Sequence, residues 1–159
     1  MKAHLIYPAS LLLFFVVACS SSKTTPKVIN EITRKVESKD FTIEMNYANP
    51  LRGKHIYLTS GYDLRIKNDS AFAYLPYYGV AYTAPYNSSD GGIKFAEPMS
   101  DYGITPHKKA DGWDIRFKVK SSSGVYNLAL NVFNNGSTTL SVESYERDMI
   151  RFDGMLKMP

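Results

Sequence analysis

The feature that most constrains the fold is an alternation of apolar and polar side chains with a period of two residues, which begins after residue 40. Apolar residues occupy every second position in four clear segments, which are 41–47, 62–67, 113–119 and 126–132. Successive side chains of a β-strand point to opposite faces, so each segment gives a strand with one apolar and one polar face. Strands of this kind are typical of antiparallel sheets. The sequence therefore predicts an all-β domain.

Turn signals between the alternating segments support hairpin connections. Asp111-Gly112 and Asn135-Gly136 are dipeptides that tight hairpins favour, because their residues tolerate a positive φ. Eight to ten short strands are expected, without a helical stretch between them for parallel crossovers. The predicted fold is an antiparallel sandwich or a small barrel, and the periodicity is consistent with both closures.

A single helix is predicted before the strands, at about residues 26–38. Thr25 suits the N-cap and Pro26 suits the first turn. Four apolar residues recur at helical spacing on one face, namely Val28, Ile29, Ile32 and Val36. The helix and the strands together form one predicted domain, residues 26–159.

The first eighteen residues have the features of a secretion signal. Lys2 is followed by a mostly apolar run that is too short to span a bilayer, which needs about 20 apolar residues. The ending Val16-Val17-Ala18-Cys19 resembles the lipobox of bacterial lipoproteins, in which cleavage before the cysteine leaves its thiol for lipid attachment. Residues 1–18 are therefore expected to be removed, and Cys19 is expected to carry the lipid that anchors the protein to a membrane.

Residues 19–25 are expected to form a flexible tether, since they are mostly small and polar. No aspartate follows Cys19, so the periplasmic face of the outer membrane is the expected location. The formal charge of +4 falls to +3 when Lys2 is removed, and this mild, scattered charge does not indicate a nucleic-acid partner. Because Cys19 is the only cysteine, no disulfide forms within the chain.

The stretch AYLPYYGVAYTAPYN, residues 73–87, holds five of the twelve tyrosines and carries no charge. One interpretation places these rings in the core and at its edge, with the hydroxyls reaching water or a carbonyl. The other is a groove for a glycan, a peptide or a protein, since tyrosine offers contact area at a low entropic cost. The candidate ligand-binding residues are Tyr77, Tyr78, Tyr82 and Tyr86.

Recognisable catalytic and metal-binding motifs are absent from the sequence. His55 and His107 are not in a metal-ligand spacing, and each adjoins a lysine, so neither a metal nor another cofactor is expected. Asp90, Glu97 and Asp101 offer one enzymatic alternative, a carbohydrate-active hydrolase that uses loop carboxylates. A third hypothesis is an inhibitor or assembly partner that uses an exposed sheet edge near Pro76.

One short motif points to a covalent modification. Asp69-Ser70-Ala71 resembles the O-glycosylation sequon of periplasmic proteins in Bacteroidetes, and it falls in a predicted turn. Ser70 is therefore a candidate acceptor.

Five segments together resemble the family called domain of unknown function 4251. They are YLPYYGVAY, Gly91-Gly92-Ile93-Lys94-Phe95, Gly112-Trp113-Asp114-Ile115, Asn135-Gly136 and Ile150-Arg151-Phe152-Asp153-Gly154. The resemblance runs from Val28 to the C-terminus and implies an uncharacterised Bacteroidetes envelope lipoprotein with a β-rich domain. It implies no catalytic residues. The expected function is binding of a ligand or protein by a non-enzymatic module.

Overall fold

A computed structural model describes residues 24–82 and 91–158 of the chain. The predictions for the signal peptide, Cys19 and Tyr86 concern residues outside these ranges. Within the ranges there is one helix, α1 (Pro26–Glu37), as the sequence predicts. The strands are β1 (Asp40–Pro50), β2 (Ile56–Tyr57), β3 (Asp63–Lys67), β4 (Ser70–Leu75), β5 (Ile93–Pro106), β6 (Gly112–Ser121), β7 (Gly124–Phe133), β8 (Ser137–Ser144) and β9 (Arg147–Leu156).

The strands form a closed antiparallel barrel. Each of β3 to β8 pairs with the next strand in the chain, and β1 pairs with β3 on one edge and with β9 on the other. Eight strands thus close on themselves, and the short β2 extends the sheet beside β1. The all-β prediction is confirmed, and of the two closures that it left open the structure has the barrel.

The core lies inside the barrel and is built by the inward half of each alternating strand. On β6 and β7 the buried residues face each other in the register Ile115–Leu130, Phe117–Leu128 and Val119–Tyr126. An eight-stranded barrel is just wide enough for side chains to fill. The interior is accordingly a packed core of mostly aliphatic and aromatic residues.

Helix α1 covers one end of this core. Ile32 and Val36, which the sequence places on its apolar face, are fully buried, and the Ile32 side chain lies near Gly136 and Met155. A 12-residue helix is marginal alone, so burial of this face, worth about 1.5–3 kcal/mol per side chain, holds it in place. No helix in the described part of the chain is long and apolar enough to cross a membrane.

The barrel has two unlike ends. The turns at 68–69, 107–111 and 134–136 lie at the same end as α1, where Lys39 of the helix–β1 turn pairs with Asp69 at 3.0 Å. We call this the helix end. The opposite end, which we call the far rim, carries the connections 51–62, 76–82, 122–123 and 145–146.

Candidate functional site

The first part of the tyrosine stretch is a strand of the barrel. In β4, Ala71, Ala73 and Leu75 face the core, whereas Tyr74 points outward and is 47 % exposed. The strand ends at Leu75 because Pro76 has no N–H to donate to a ladder. Both edges of β4 are paired, with β3 and with β5, so this strand offers no free edge next to Pro76.

After Pro76 the chain crosses the far rim and attaches to the start of β9. The Tyr82 amide donates to the Glu146 carbonyl at 2.7 Å, and the Asp148 amide donates to the Val80 carbonyl at 3.0 Å. Between these bonds Ala81 forms an antiparallel bridge with Arg147. Residues 80–82 therefore act as a short extra strand on the edge of β9 beyond its pairing with β1.

Tyr77 folds back under this segment. Its hydroxyl lies 3.0 Å from the carbonyl oxygens of both Val80 and Asp148, to which it can donate. Burial raises the pKa of Tyr77, with a further contribution from the Asp148 carboxylate, so the hydroxyl remains a donor. A Cβ on Gly79 would lie 2.7 Å from the Tyr77 hydroxyl, which explains why glycine follows the tyrosine pair.

The side chain of Asp148 also holds residues 80–82 in place, through a hydrogen bond. It is only 6 % exposed, and its carboxylate accepts a hydrogen bond from the Tyr82 hydroxyl. This bond raises the pKa of Tyr82 and leaves its ring mostly in solvent, 64 % exposed. Of the candidate binding residues, Tyr77 is thus partly buried and structural, whereas Tyr78 and Tyr82 present surface.

Exposed large apolar side chains concentrate at the far rim. Eight of them lie on its connections or at the adjoining strand ends: Leu51, Tyr57, Tyr74, Tyr78, Val80, Tyr82, Val125 and Tyr145. The three others in the described ranges, Ile104, Met155 and Met158, lie toward the helix end. A rim rich in exposed tyrosine is a surface that protein and glycan ligands favour.

A depression of about 200 Å³ opens at this rim beside the start of β5. The rings of Tyr62 and Tyr74 stack with centroids 5.6 Å apart and planes 9° apart, and the Lys94 ammonium lies 4.6 Å from the Tyr74 centroid. The lining residues are Tyr62, Tyr74, Leu75, Pro76, Tyr77, Gly91, Gly92 and Lys94.

A buried cation lies behind this depression. Arg147 is 5 % exposed, and its guanidinium carbon lies 4.9 Å from the Tyr77 centroid and 5.9 Å from the Tyr126 centroid. One terminal nitrogen donates to the Gly91 carbonyl at 3.2 Å, and Nε has no hydrogen-bond partner in the described ranges. Ring contacts contribute about 0.5–2 kcal/mol. They offset only part of the several kcal/mol that burial of an ion costs.

The carboxylates of the hydrolase hypothesis are not brought together where the structure describes them. Glu97 is opposite Ala71 in the β4–β5 register and so shares the inward face, whereas a bulge after Ser100 turns Asp101 outward. Asp101 pairs with Lys118 at 2.8 Å and, with Glu143, lines a depression of about 370 Å³ on the outer surface of the barrel. Asp90 lies outside the described residues.

The two histidines lie apart on the outer surface. The Nδ1 atom of His55 lies 3.0 Å from the Asn49 amide oxygen. The Nδ1 atom of His107 bonds to the carboxylate of Asp114, which also accepts a hydrogen bond from the Asn131 amide at 2.6 Å. Burial alone would raise the pKa of Asp114, but these hydrogen bonds hold it below its ordinary value. Among residues 24–82 and 91–158, no cluster of side chains is suited to a metal ion.

Ser70, the candidate glycosylation site, is the first residue of β4 and follows the Asn68-Asp69 turn at the helix end. It is half-buried, and the neighbouring Asp69 side chain is largely exposed.

The sequence did not single out Arg147 or Asp148. The sequence offered no signal for their burial, because adjacent charged residues ordinarily indicate a strand end exposed to solvent.

Comparison with known proteins identifies the family. A family model described as a domain of unknown function, DUF4251, matches residues 25–156. The chain belongs to the DUF4251 family. A DUF4251 protein from Bacteroides eggerthii DSM 20697, known from a crystal structure at 1.95 Å resolution, has a similar fold, with 15 % identity and a TM-score of 0.62. The match covers 82 % of this chain and 87 % of that one. No curated protein matches the chain.

Proposed function

We propose that this DUF4251 protein is a non-enzymatic lipoprotein of the outer membrane that binds an envelope macromolecule, a glycan or a protein, through the far rim of its barrel. The observation that carries the proposal is the concentration of exposed tyrosines at that rim. Tyr57, Tyr82 and Tyr145 are 71 %, 64 % and 88 % exposed. Exposed aromatic residues concentrated at one end of a domain favour an interaction site there.

The position of the tether supports the same assignment. If Cys19 carries lipid, the seven residues from there to Pro26 reach at most about 25 Å when fully extended. The helix end, where α1 packs, then stays near the membrane. The far rim faces away from the membrane, toward the space in which a partner is met. The periplasmic face of the outer membrane is the proposed location.

Binding is favoured over catalysis by the arrangement of the carboxylates. Glu97 and Asp101 lie on opposite faces of β5, whereas glycoside hydrolysis needs two carboxyl groups across one cleft. The tyrosines, by contrast, lie on connections held to the barrel by backbone hydrogen bonds, as Tyr82 is to Glu146. A rigid aromatic surface binds at a lower entropic cost than a mobile one.

Crosslinking in intact cells tests the binding proposal. In the rim variant Tyr78 and Tyr145 are replaced by serine. The matched control replaces Ile104 and Met155, exposed apolar residues toward the helix end. Captured protein and glycan are then quantified by mass spectrometry. We expect the rim variant to lose most of the material that the wild type captures and the control to retain it. Equal capture by the rim variant and the wild type would refute the proposal.

The anchor is tested separately. Substitution Cys19→Ser is expected to move the protein from the membrane fraction to the soluble fraction, because the acyl chains are lost. Intact-mass measurement of the wild-type protein checks the modification directly. A wild-type mass without acyl groups would show that the anchor is wrong while leaving the rim proposal to the crosslinking experiment.

A further inference from the structure

We propose that the depression at the far rim binds one ring of an acidic saccharide and that the buried guanidinium of Arg147 selects its negative charge. This inference rests on the proposed binding function of the rim and names the chemistry of its ligand. The charged group is a carboxylate or a sulfate, since the protein side of the site supplies a cation to either.

The first argument is the charge balance of Arg147. The side chain is almost completely buried, and no carboxylate lies within ion-pairing distance of it among the described residues. Asp148, its neighbour in the chain, already accepts from Tyr82. Buried charges are ordinarily paired, because leaving water is costly for an ion. Within residues 24–82 and 91–158 this cation has no acidic partner, so the negative charge of a ligand in the depression would be a suitable counter-charge.

The second argument is the position of this cation relative to the depression. Two groups that contact the guanidinium, the Tyr77 ring and the Gly91 carbonyl, also form the wall of the depression. The charge thus lies directly behind that wall, in low-dielectric surroundings where its field is weakly screened. The Lys94 ammonium, which lies over the Tyr74 ring, belongs to the same lining.

The third argument is shape. The lining includes the rings of Tyr62, Tyr74 and Tyr77, together with Gly91 and Gly92, which carry no side chain, so it offers aromatic surface that the C–H groups of a sugar ring favour. A volume of about 200 Å³ is below the usual range for drug-sized ligands, about 300–1,000 Å³. The depression therefore suits one ring of a longer chain, and the neighbouring exposed tyrosines suit the adjoining rings.

Calorimetric titration of the purified full-length protein in detergent tests the inference. The probes are an oligogalacturonate, a sulfated galactose oligomer and a neutral galactose oligomer of equal length. We expect at least one acidic probe to bind at least tenfold more tightly than the neutral one. Arg147→Met should weaken acidic binding at least tenfold. Arg65→Met, which removes an exposed guanidinium stacked on Phe72, should leave it unchanged.

A second variant keeps the test decisive if Arg147→Met does not fold, as judged by circular dichroism. Tyr74→Ser alters the exposed wall of the depression and should weaken acidic binding at least tenfold. Binding of the neutral probe as tightly as the acidic ones, binding of no probe, or unchanged acidic binding in Arg147→Met would each overturn the inference. If crosslinking still depends on the rim tyrosines in those cases, the proposed function stands and only the ligand class is wrong.

Discussion

Closure of the barrel depends on a close approach between β1 and β9 that a single methyl group should disrupt. Gly154 on β9 lies opposite Met45, next to the bulge in β1. A Cβ at Gly154 would lie 2.3 Å from the Glu44 carbonyl oxygen and 3.1 Å from the carbonyl carbon. Both atoms belong to the backbone, so no side chain can rotate away. In Gly154→Ala the two strands must therefore separate.

The expected magnitude follows from this geometry. Overpacking a core with side-chain atoms costs about 1–3 kcal/mol. Because the obstacle here is backbone within a hydrogen-bonded ladder, we expect Gly154→Ala to lower the free energy of unfolding by about 3 kcal/mol, at the upper end of that range. At about 2–4 °C per kcal/mol for a protein of this size, the melting temperature should fall by about 6–12 °C.

Gly103→Ala is the matched control. This glycine also lies in a strand, β5, but its φ is not left-handed and no atom lies within 4 Å of an added Cβ. The same substitution should there raise stability by about 0.4–1 kcal/mol, by restricting the unfolded chain. Guanidinium unfolding, followed by Trp113 fluorescence and circular dichroism, measures both variants. Equal unfolding midpoints for Gly154→Ala and the wild type would refute the close approach of β1 to β9.

Three further predictions address other parts of the structure. Ile32→Ala should cost about 2–4 kcal/mol in denaturant unfolding, because it leaves a cavity under α1. Tyr82→Phe should speed amide exchange at the rim, because the buried Asp148 carboxylate loses a donor. The pKa of Asp114 is lowered on folding, so its contribution to stability is present above about pH 3.8 and is lost as pH falls through the folded-state pKa. When the free energy of unfolding is measured against pH, Asp114→Asn should lose less stability at acid pH than the wild type does.

Each of these predictions has a control in the same region. Asn30→Ala lies on the exposed side of α1 and should change stability little, so an equal loss would contradict the packing of the helix. Tyr78→Phe should leave amide exchange at the rim as in the wild type, since the hydroxyl groups that attach the segment among the described residues are those of Tyr77 and Tyr82. Asp111→Asn should lose as much stability at acid pH as the wild type does. The Asp114 prediction fails if both asparagine variants give the wild-type profile.

Much of the architecture could be predicted because its determinants are local. The alternation in 113–119 and 126–132 is a property of neighbouring residues, and both segments are strands in the predicted phase, with Phe117 and Leu128 inward. The helix was predictable for the same reason, since a proline at its start and a 3.6-residue apolar stripe lie within one short segment.

The tyrosine stretch shows a feature that the local pattern does not determine, namely which face of a strand points into the barrel. In 71–75 both faces of β4 are apolar, so alternation defines two faces without choosing the inner one. The structure puts Ala71, Ala73 and Leu75 inside and Tyr74 outside. That choice depends on how much room the curved neighbouring strands leave, which is a property of the closed barrel.

The sequence by itself determined the strand periodicity, the helix and the main turns, because each needs only residues close together in the chain. Only the tertiary structure decided that the ribbon closes as a barrel, through the pairing of β1 with β9. It also decided the candidate site, because Arg147 meets Tyr77 and Gly91 from 70 and 56 residues away. Contacts between such distant residues arise from the path of the chain, and no short-range pattern encodes them.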